Sequence, residues 1–369
     1  MIKITRLKKW AMCGCLFSLA YILPLQARAE SSVRTLEQNH KNNASTSCTD
    51  FVPSTQMAQT AESISSACSV TLSGPLIASE SSTGSAPPST GSAVPAVSAA
   101  PEVTPVEEMV YQVNQLRASK GLSPLKANAT LSAAAQDFAT RMGGSNFFSH
   151  NDPDNGCSKP WDRMQAAGYV NWNFAAENIA AGYNSATTAM TGFINSPSHY
   201  NTLVNPNLRE IGVGLFNDQS DANNVRLIST CPSFTGTSGP FTYYWVQDYG
   251  SHYVNGAPML PIVIDQEAPN TASRDVTVYV YGNEYGQPRW VSQMRFSTDG
   301  TTWTAFEPYA AQKTITLPRG TGMKTVYAQL KNATGTTQSV SDSIFLVDSS
   351  VPVNPVTMPY HVYMPTLQD

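Results

Sequence analysis

Apolar residues recur at helical spacing in the middle of the chain, beginning just after Thr104. Thr104 is a typical N-cap residue, Pro105 suits the first helical position, and Glu107 would complete a capping box with Thr104. Gly121 follows at a position where a helix would end. The pattern predicts four helices: one between Thr104 and Gly121, one from about Ala129 to Gly144, a short one from Pro160 to Ala167, and one capped by Ser185.

Strand-forming residues replace this helical pattern further along the same region. Runs of β-branched and aromatic residues at 211–216, 225–228 and 241–249 are bounded by Asn, Asp, Ser and Gly. Helices that precede strands, without regular alternation, indicate an α+β layer fold. We therefore predict one α+β domain over residues 104–253.

A second change of pattern begins near residue 268. Five or six short strand-like runs without helical periodicity follow up to residue 348, and Asp299-Gly300 has the composition of a hairpin turn. This spacing predicts a small all-β sandwich over residues 268–348. Residues 349–369 are Pro-rich, and we expect them to form an extended tail.

The first 29 residues have the features of a secretory signal peptide. A basic start is followed by an apolar run from Trp10 to Leu25 and by Ala27-Arg28-Ala29. An uncleaved anchor is the alternative, but a run of roughly 16 residues is short for a bilayer that needs about 20. Residues 30–103 are polar and, from Glu80 onward, consist almost entirely of Ser, Thr, Gly, Ala, Val and Pro, which predicts a mostly disordered region that ends in a flexible linker.

The predicted signal peptide carries positive charge that offsets part of the negative charge of the remaining chain. The whole chain has 22 Lys and Arg against 26 Asp and Glu, a net charge of −4, but five of the basic residues and none of the acids lie in residues 1–29, so the remainder carries −9. Such a chain is not expected to bind nucleic acid by neutralising phosphates. No segment after the leader could span a membrane, so we expect a secreted protein, extracellular or associated with the cell surface.

Four cysteines remain after the leader, namely Cys48, Cys68, Cys157 and Cys231. Export to an oxidising compartment favours disulfides over metal ligation or thiolate chemistry, and no CxxC spacing suggests otherwise. Three pairings are possible. The low-complexity segment between the two pairs favours Cys48 with Cys68 and Cys157 with Cys231.

The familiar catalytic motifs are absent from the sequence: there is no nucleophile elbow, zinc-binding HExxH helix, Walker loop or dinucleotide-binding glycine motif. His150 and His199 lie in the most polar segments of the α+β domain, and Glu177 lies in an apolar run between them. A carboxylate there needs a partner, because burying an unpaired charge is strongly disfavoured. The two imidazoles could supply that partner, hold a metal or exchange protons, and Arg163 could pair with Asp162 or with Glu177.

Several ordered motifs in residues 107–250 point to one family. They are Phe148-Ser149-His150, Pro160-Trp161-Asp162-Arg163, Ala167-Gly168-Tyr169, Glu177-Asn178-Ile179-Ala180, Asn195-Ser196-Pro197-Ser198-His199-Tyr200-Asn201, Ile211-Gly212-Val213-Gly214 and Tyr244-Trp245-Val246-Gln247. With these motifs the segment resembles the CAP superfamily (cysteine-rich secretory proteins, antigen 5 and pathogenesis-related 1), specifically its bacterial SCP-like branch. The resemblance implies an α-β-α sandwich.

The resemblance also implies a site. Members of the family gather two His and two Glu side chains in a central cavity, where some bind zinc, and His150, Glu177 and His199 match three of the four positions by motif. No acid among residues 192–198 matches the fourth, and Glu210 does not match its position. We therefore expect a ligand site at these three residues, with zinc as the candidate cofactor, held by the two histidines.

Three functions remain open. The first is a secreted bacterial module that binds a metal or small ligand near an envelope or surface partner, tethered to a C-terminal spacer, since residues 294–303 resemble bacterial Ig-like modules. The second is a metal-assisted, peptidase-like hydrolase, which needs Glu177 as both zinc ligand and base and therefore ranks lower. The third is a structural adhesin with an inert cavity, in which His150 and His199 organise turns and Glu177 ties layers together. Non-enzymatic binding is the favoured expectation.

Overall fold

The computed structural model describes residues 101–347, all within one compact unit. The predicted signal peptide, the Cys48–Cys68 pair, nearly all of the low-complexity region and the Pro-rich tail lie outside the described residues. Within residues 101–347, no helix combines the length and the apolar character needed to cross a bilayer.

The predicted helices are present, and the structure adds a fifth. The first is capped as predicted: Thr104 accepts from the backbone N–H of Glu107, whose carboxylate accepts from the backbone N–H of Thr104. The fifth helix covers the Ser-Pro segment that contains His199. The bounds are α1 Pro105–Ser119, α2 Ala129–Gly144, α3 Pro160–Ala166, α4 Ala186–Asn195 and α5 Pro197–Leu203.

The main sheet of the α+β domain has the strand order β1-β4-β7-β3, with β8 paired to β7. Its long strands are antiparallel, and only the short β1 runs parallel to β4. The bounds are β1 Lys126–Ala127, β3 Trp172–Ala181, β4 Glu210–Asn217, β7 Tyr243–Val254 and β8 Ala257–Pro258.

One part of the predicted element order was wrong. We expected helices first and strands afterwards, but β3 precedes α4 and α5 in the chain. Its last six residues are all buried, so the run Glu177-Asn178-Ile179-Ala180 has none of the alternation of polar and apolar residues that marks a half-exposed strand.

The α-β-α sandwich is confirmed. Helices α1, α4 and α5 share one core with one face of the sheet, which includes Phe193 and Trp245. Helix α2 packs on the other face against Ile179 and Val246, and α3 packs beside α2. Glycine allows the close approach of α2 to β4, since a Cβ at Gly212 would lie 2.1 Å from helix backbone.

A smaller three-stranded sheet, in the order β2-β5-β6, lies beside the main one. The predicted disulfide between Cys157 and Cys231 is confirmed, and it joins the loop after β2 to the loop after β5. The bounds are β2 Phe147–Phe148, β5 Val225–Leu227 and β6 Gly236–Ser238.

The C-terminal part is an all-β, Ig-like sandwich, as predicted. One sheet has the order β10-β16-β15-β12-β13 and the other β14-β11-β9, and both contribute to one apolar core. The sandwich begins earlier than the predicted residue 268, because β9 pairs with β11. The bounds are β9 Ile262–Ile264, β10 Asn270–Thr271, β11 Asp275–Val280, β12 Val291–Ser297, β13 Glu307–Pro308, β14 Gln312–Thr316, β15 Gly322–Asn332 and β16 Thr337–Leu346.

The sandwich is in direct contact with the α+β domain. The ammonium of Lys126 lies 2.8 Å from Glu267 and 2.6 Å from Asp342, both of the sandwich side. A second ion pair joins Arg209 to Glu284 at 3.0 Å. The two domains therefore share partly buried, charged contacts.

Candidate functional site

Glu177 is the centre of a buried ionic cluster on strand β3. Its side chain is fully buried, with Nδ1 of His150 2.7 Å from Oε1 and a guanidinium nitrogen of Arg163 2.6 Å from Oε2. Burial alone raises the pKa of Glu177, but the charge of Arg163 and the hydrogen bonds from His150 and Arg163 outweigh it and hold this pKa below its usual range. The carboxylate is therefore ionised and accepts from both neighbours.

Arg163 holds the cluster together from helix α3. Its other terminal nitrogen donates to the carbonyl oxygens of His150 and Ser158, each at 2.9 Å, and its guanidinium lies 3.3 Å from the centre of the Phe138 ring. The planar guanidinium makes these contacts at once, which an ammonium could not. Of the two partners considered for Arg163, the structure selects Glu177, while Asp162 accepts from the backbone N–H that precedes α3.

Asp248 is a second acid in this cluster that the sequence did not reveal. It is the cross-strand partner of Glu177, on β7, and is 1% exposed. Burial, followed by the nearby charge of Glu177, raises the pKa of Asp248 well above its usual range, which favours its neutral form. The same criterion that identified Glu177, an acid within an apolar strand, would have identified Asp248.

His199 approaches the sheet from the opposite face. Successive strand residues point to opposite faces, so Glu177 faces α2 and α3, whereas Asn178 faces the layer that contains α5. There the amide of Asn178 donates to the carbonyl oxygen of His199 at 3.3 Å and to the side chain of Gln247 at 3.2 Å. The His199 ring packs against Phe193 and lies 2.7 Å from the hydroxyl of Ser196. The structure thus joins His150 to Glu177 directly and His199 to the sheet through Asn178.

Both faces of this site contain buried polar atoms without a hydrogen-bond partner among residues 101–347. On the Glu177 side they are Nε of Arg163 and Oδ1 of Asp248, and on the His199 side Oδ1 of Asn178 and Nε2 of Gln247. A buried donor or acceptor without a partner costs about 1–3 kcal/mol. Each face of the sheet thus has two buried atoms that a bound polar molecule or an ordered water would satisfy.

The donor set fits a zinc ion poorly. Catalytic zinc takes three protein ligands, yet both oxygens of Glu177 are engaged, one by a cation. His150 and His199 belong to layers on opposite faces of the sheet. No group of three or more His, Cys, Asp or Glu side chains is arranged to hold a metal within the described part of the chain. Zinc stays a prediction that binding measurements must test.

A second His–Glu pair lies near the C-terminal end of β7, and the sequence did not predict it. Glu210 accepts from His252 and from the hydroxyl of Tyr169, both at 2.7 Å, and from the amide of Asn128 at 2.8 Å. Burial raises the pKa of Glu210, but these contacts outweigh it and lower that pKa. The neighbouring Arg209 forms the ion pair with the sandwich. With its acid satisfied on both oxygens, this pair ties β4, β7 and α2 together.

Comparison with known proteins agrees with this architecture. Residues 110–249 match the family model of CAP, the cysteine-rich secretory protein family. An uncharacterized protein, YkwD, of Bacillus subtilis (strain 168) is 30% identical over 194 residues, which are 52% of this chain and 71% of YkwD.

Solved structures that match part of this chain include an outer surface protein from Borrelia burgdorferi, at 19% identity and a TM-score of 0.32, covering 41% of this chain and 97% of that one. Another is an extracellular protein with an SCP domain from Bacillus anthracis, at 23% identity and a TM-score of 0.30, covering 40% of each chain. The family model and the extent of the YkwD match show that this chain belongs to the CAP family of cysteine-rich secretory proteins.

Proposed function

We propose that this chain is an exported protein that binds a small polar ligand at the cluster of His150, Glu177 and Arg163, on one face of the sheet, without transforming it chemically. The observation that carries the proposal is the pair of buried polar atoms without partners beside Glu177, which are Nε of Arg163 and Oδ1 of Asp248. A ligand with both donors and acceptors would satisfy these atoms and recover the free energy that their burial costs. The predicted leader and the Cys157–Cys231 disulfide support export.

The electrostatics favour binding over catalysis. An effective general base needs a pKa near the working pH, whereas the pKa of Glu177 lies below its usual range. Its oxygens are occupied by His150 and Arg163, so the carboxylate orients other groups. This arrangement supports a rigid, charge-balanced binding centre.

A hydrolase remains the second candidate, because one observation favours it. The 2.7 Å contact between Nδ1 of His150 and Glu177 is the contact by which a carboxylate orients a catalytic imidazole. His150 is also more accessible than Glu177, with 10% of its side chain exposed. In this mechanism His150 would be the base and Glu177 its positioning residue.

Ligand binding is tested by thermal shift on the full chain with a panel of amino acids, dipeptides and nucleosides. We expect at least one compound to raise the Tm of the wild type, and its effect to be lost in His150→Ala and Asp248→Ala. His252→Ala is the matched control, because His252 also pairs with a buried carboxylate but lies outside this site. If no compound raises the Tm, or if the shift survives in both site variants, the ligand proposal is wrong.

Two further measurements separate the alternatives. Calorimetric titration with zinc chloride should give no heat that depends on His150 and His199; heat that disappears in both alanine variants would establish the metal site instead. Turnover of a fluorogenic peptide and ester library that is lost in His150→Ala would establish the hydrolase. If a cell-envelope fraction binds all variants equally, the inert adhesin is the better description. The full chain is required, because the α+β domain alone would expose the charged contacts of Lys126 and Arg209.

A further inference from the structure

A cleft lies between the α+β domain and the sandwich, and its residues are separate from those of the His150 site. It has a volume of about 840 Å³ and is bounded by the C-terminal half of α1, the loop at residues 121–124 and strands β9, β11 and β14. Pockets for small molecules measure about 300–1,000 Å³ and occur preferentially at domain interfaces. The cleft therefore has the size and the position of a ligand site.

The lining is polar, nearly uncharged and aromatic. Among the described residues that line it, Asp265 is the one carboxylic acid, and none is Lys, Arg or His. Two half-buried tyrosines, Tyr111 and Tyr279, contribute rings, and amides come from Gln115 and Gln312 among others. With this lining the cleft does not suit a phosphate or a carboxylate. Aromatic rings can pack against the apolar C–H faces of a ligand, while amides and a carboxylate can form hydrogen bonds with its hydroxyl groups. The lining therefore suits a neutral molecule that has both features.

The turn that carries Asp265 is strained. Asp265, Gln266 and Glu267 have φ values of 41°, 63° and 63°, the left-handed region that residues other than glycine rarely adopt. Consecutive strained residues persist only where the surroundings hold them, and they occur preferentially at functional sites.

Contacts with the α+β domain hold this turn in place. The carbonyl oxygen of Gln266 accepts from Asn114 at 3.0 Å, its side chain accepts from Gln115 at 2.9 Å, and Glu267 pairs with Lys126 at 2.8 Å. The same turn therefore docks the domains and fixes the Asp265 carboxylate in the cleft.

The position of this carboxylate is well defined. Its Oδ1 accepts from the backbone N–H of Thr277 at 2.7 Å, which orients the group. Burial raises the pKa of Tyr111, and the charge of Asp265 raises it further. The carboxylate therefore lies near enough to the Tyr111 hydroxyl on α1 to influence it electrostatically. Tyr279 is held by a 2.6 Å hydrogen bond between its hydroxyl and Ser123. One carboxylate and two positioned aromatic rings thus face a common space.

We propose that this cleft binds a neutral oligosaccharide. Sugar rings stack on Tyr111 and Tyr279, and hydroxyl groups donate to Asp265 and exchange hydrogen bonds with the amides of Gln115 and Gln312. None of the residues that line the cleft belongs to the His150 site.

Calorimetry on the full chain tests the proposal with three trisaccharide probes: cellotriose, maltotriose and N,N′,N″-triacetylchitotriose. At least one should bind, and Tyr111→Ala and Asp265→Asn should each weaken its affinity by about tenfold, the scale of a lost stacking or charged hydrogen-bond contact. Matched controls are Tyr285→Ala, an exposed tyrosine outside the cleft, and Asp137→Asn, an exposed acid on α2. Both should bind as the wild type does.

Gln312→Ala keeps the test decisive if the other variants fold poorly, because Gln312 is exposed and its replacement leaves the packing intact. It should weaken the same probe severalfold. The proposal is overturned if none of the three probes binds, or if the probe that binds does so with equal affinity in Gln312→Ala and in whichever of the other cleft variants fold.

Discussion

Replacing Arg163 by Met should strongly destabilise the CAP domain, because it leaves a buried carboxylate without its cation. Met keeps much of the length of the side chain and its packing on Phe138, so charge and hydrogen bonding are the main losses. These are the 2.6 Å ion pair with Glu177 and the 2.9 Å hydrogen bonds to the carbonyl oxygens of His150 and Ser158.

The expected cost is about 3–5 kcal/mol, the range for removing one partner of a buried ion pair. At about 2–4 °C per kcal/mol for a structure of this size, the Tm should fall by roughly 6–20 °C. Denaturant unfolding of the disulfide-intact chain, followed by tryptophan fluorescence, measures the free energy of unfolding directly, and Trp245 reports from the core of the domain.

A double variant distinguishes this explanation from a loss of packing. Glu177→Gln removes the carboxylate charge, so Arg163→Met should cost clearly less in a Glu177→Gln background than in the wild type. If the two effects simply add, or if Arg163→Met alone costs under about 1 kcal/mol, the ion pair does not hold the site together.

The contribution of Glu177 to the pH dependence of stability should shrink in the same variant. In the wild type the lowered pKa of Glu177 contributes stability that is present above its unfolded pKa and is lost as the pH falls through the folded pKa. Without Arg163, only the contact with His150 opposes burial, so the pKa of Glu177 should rise and this contribution should become smaller. An unchanged slope would contradict the assignment.

Three further predictions follow from the described contacts. Cys157→Ser should lower the free energy of unfolding by about 4 kcal/mol, since the disulfide with Cys231 closes a loop of 74 residues, and a reduced wild type should match it. The pKa of Glu267 is raised to about 7, mainly by burial, so the wild type should lose stability as the pH rises from 5 to 8; Glu267→Gln should lose less over the same range in denaturant titrations. Gly212→Ala should cost about 3 kcal/mol because its Cβ meets the backbone of α2, whereas Gly144→Ala, with open space around it, should be neutral or stabilising by the same assay.

The fold was predictable from sequence wherever local signals acted alone. The capping box at Thr104 and Glu107 fixed the start of α1, and the structure contains both of its hydrogen bonds. Strand β3 was not recognised because helices cover both of its faces, which removes the alternation that marks a strand. The contact between the two domains could not be predicted, since it depends on pairs such as Lys126 and Asp342, 216 residues apart.

Part of the candidate site could be predicted from the sequence, and the rest depends on how the strands pair. His150 and Glu177 are joined by a direct contact, and the expectation that this acid needs a partner is satisfied by two. Asp248 could be identified as an acid within an apolar strand, but its position opposite Glu177 depends on the register of β3 against β7. The face on which His199 lies also depends on that register, because a shift of one residue would reverse it.

The charges of the site indicate what kind of ligand it can accept. Glu177 is ionised and Arg163 is a cation, while the raised pKa of Asp248 keeps the second acid neutral. The charges of Glu177 and Arg163 cancel within their ion pair. A divalent cation at Glu177 would be repelled by the charge of Arg163, and an anion at Arg163 would be repelled by the charge of Glu177. Either ion would therefore have to displace the existing ion pair. A neutral, polar ligand would disturb neither charge and would satisfy the buried atoms beside Glu177, which is why we propose such a molecule rather than zinc.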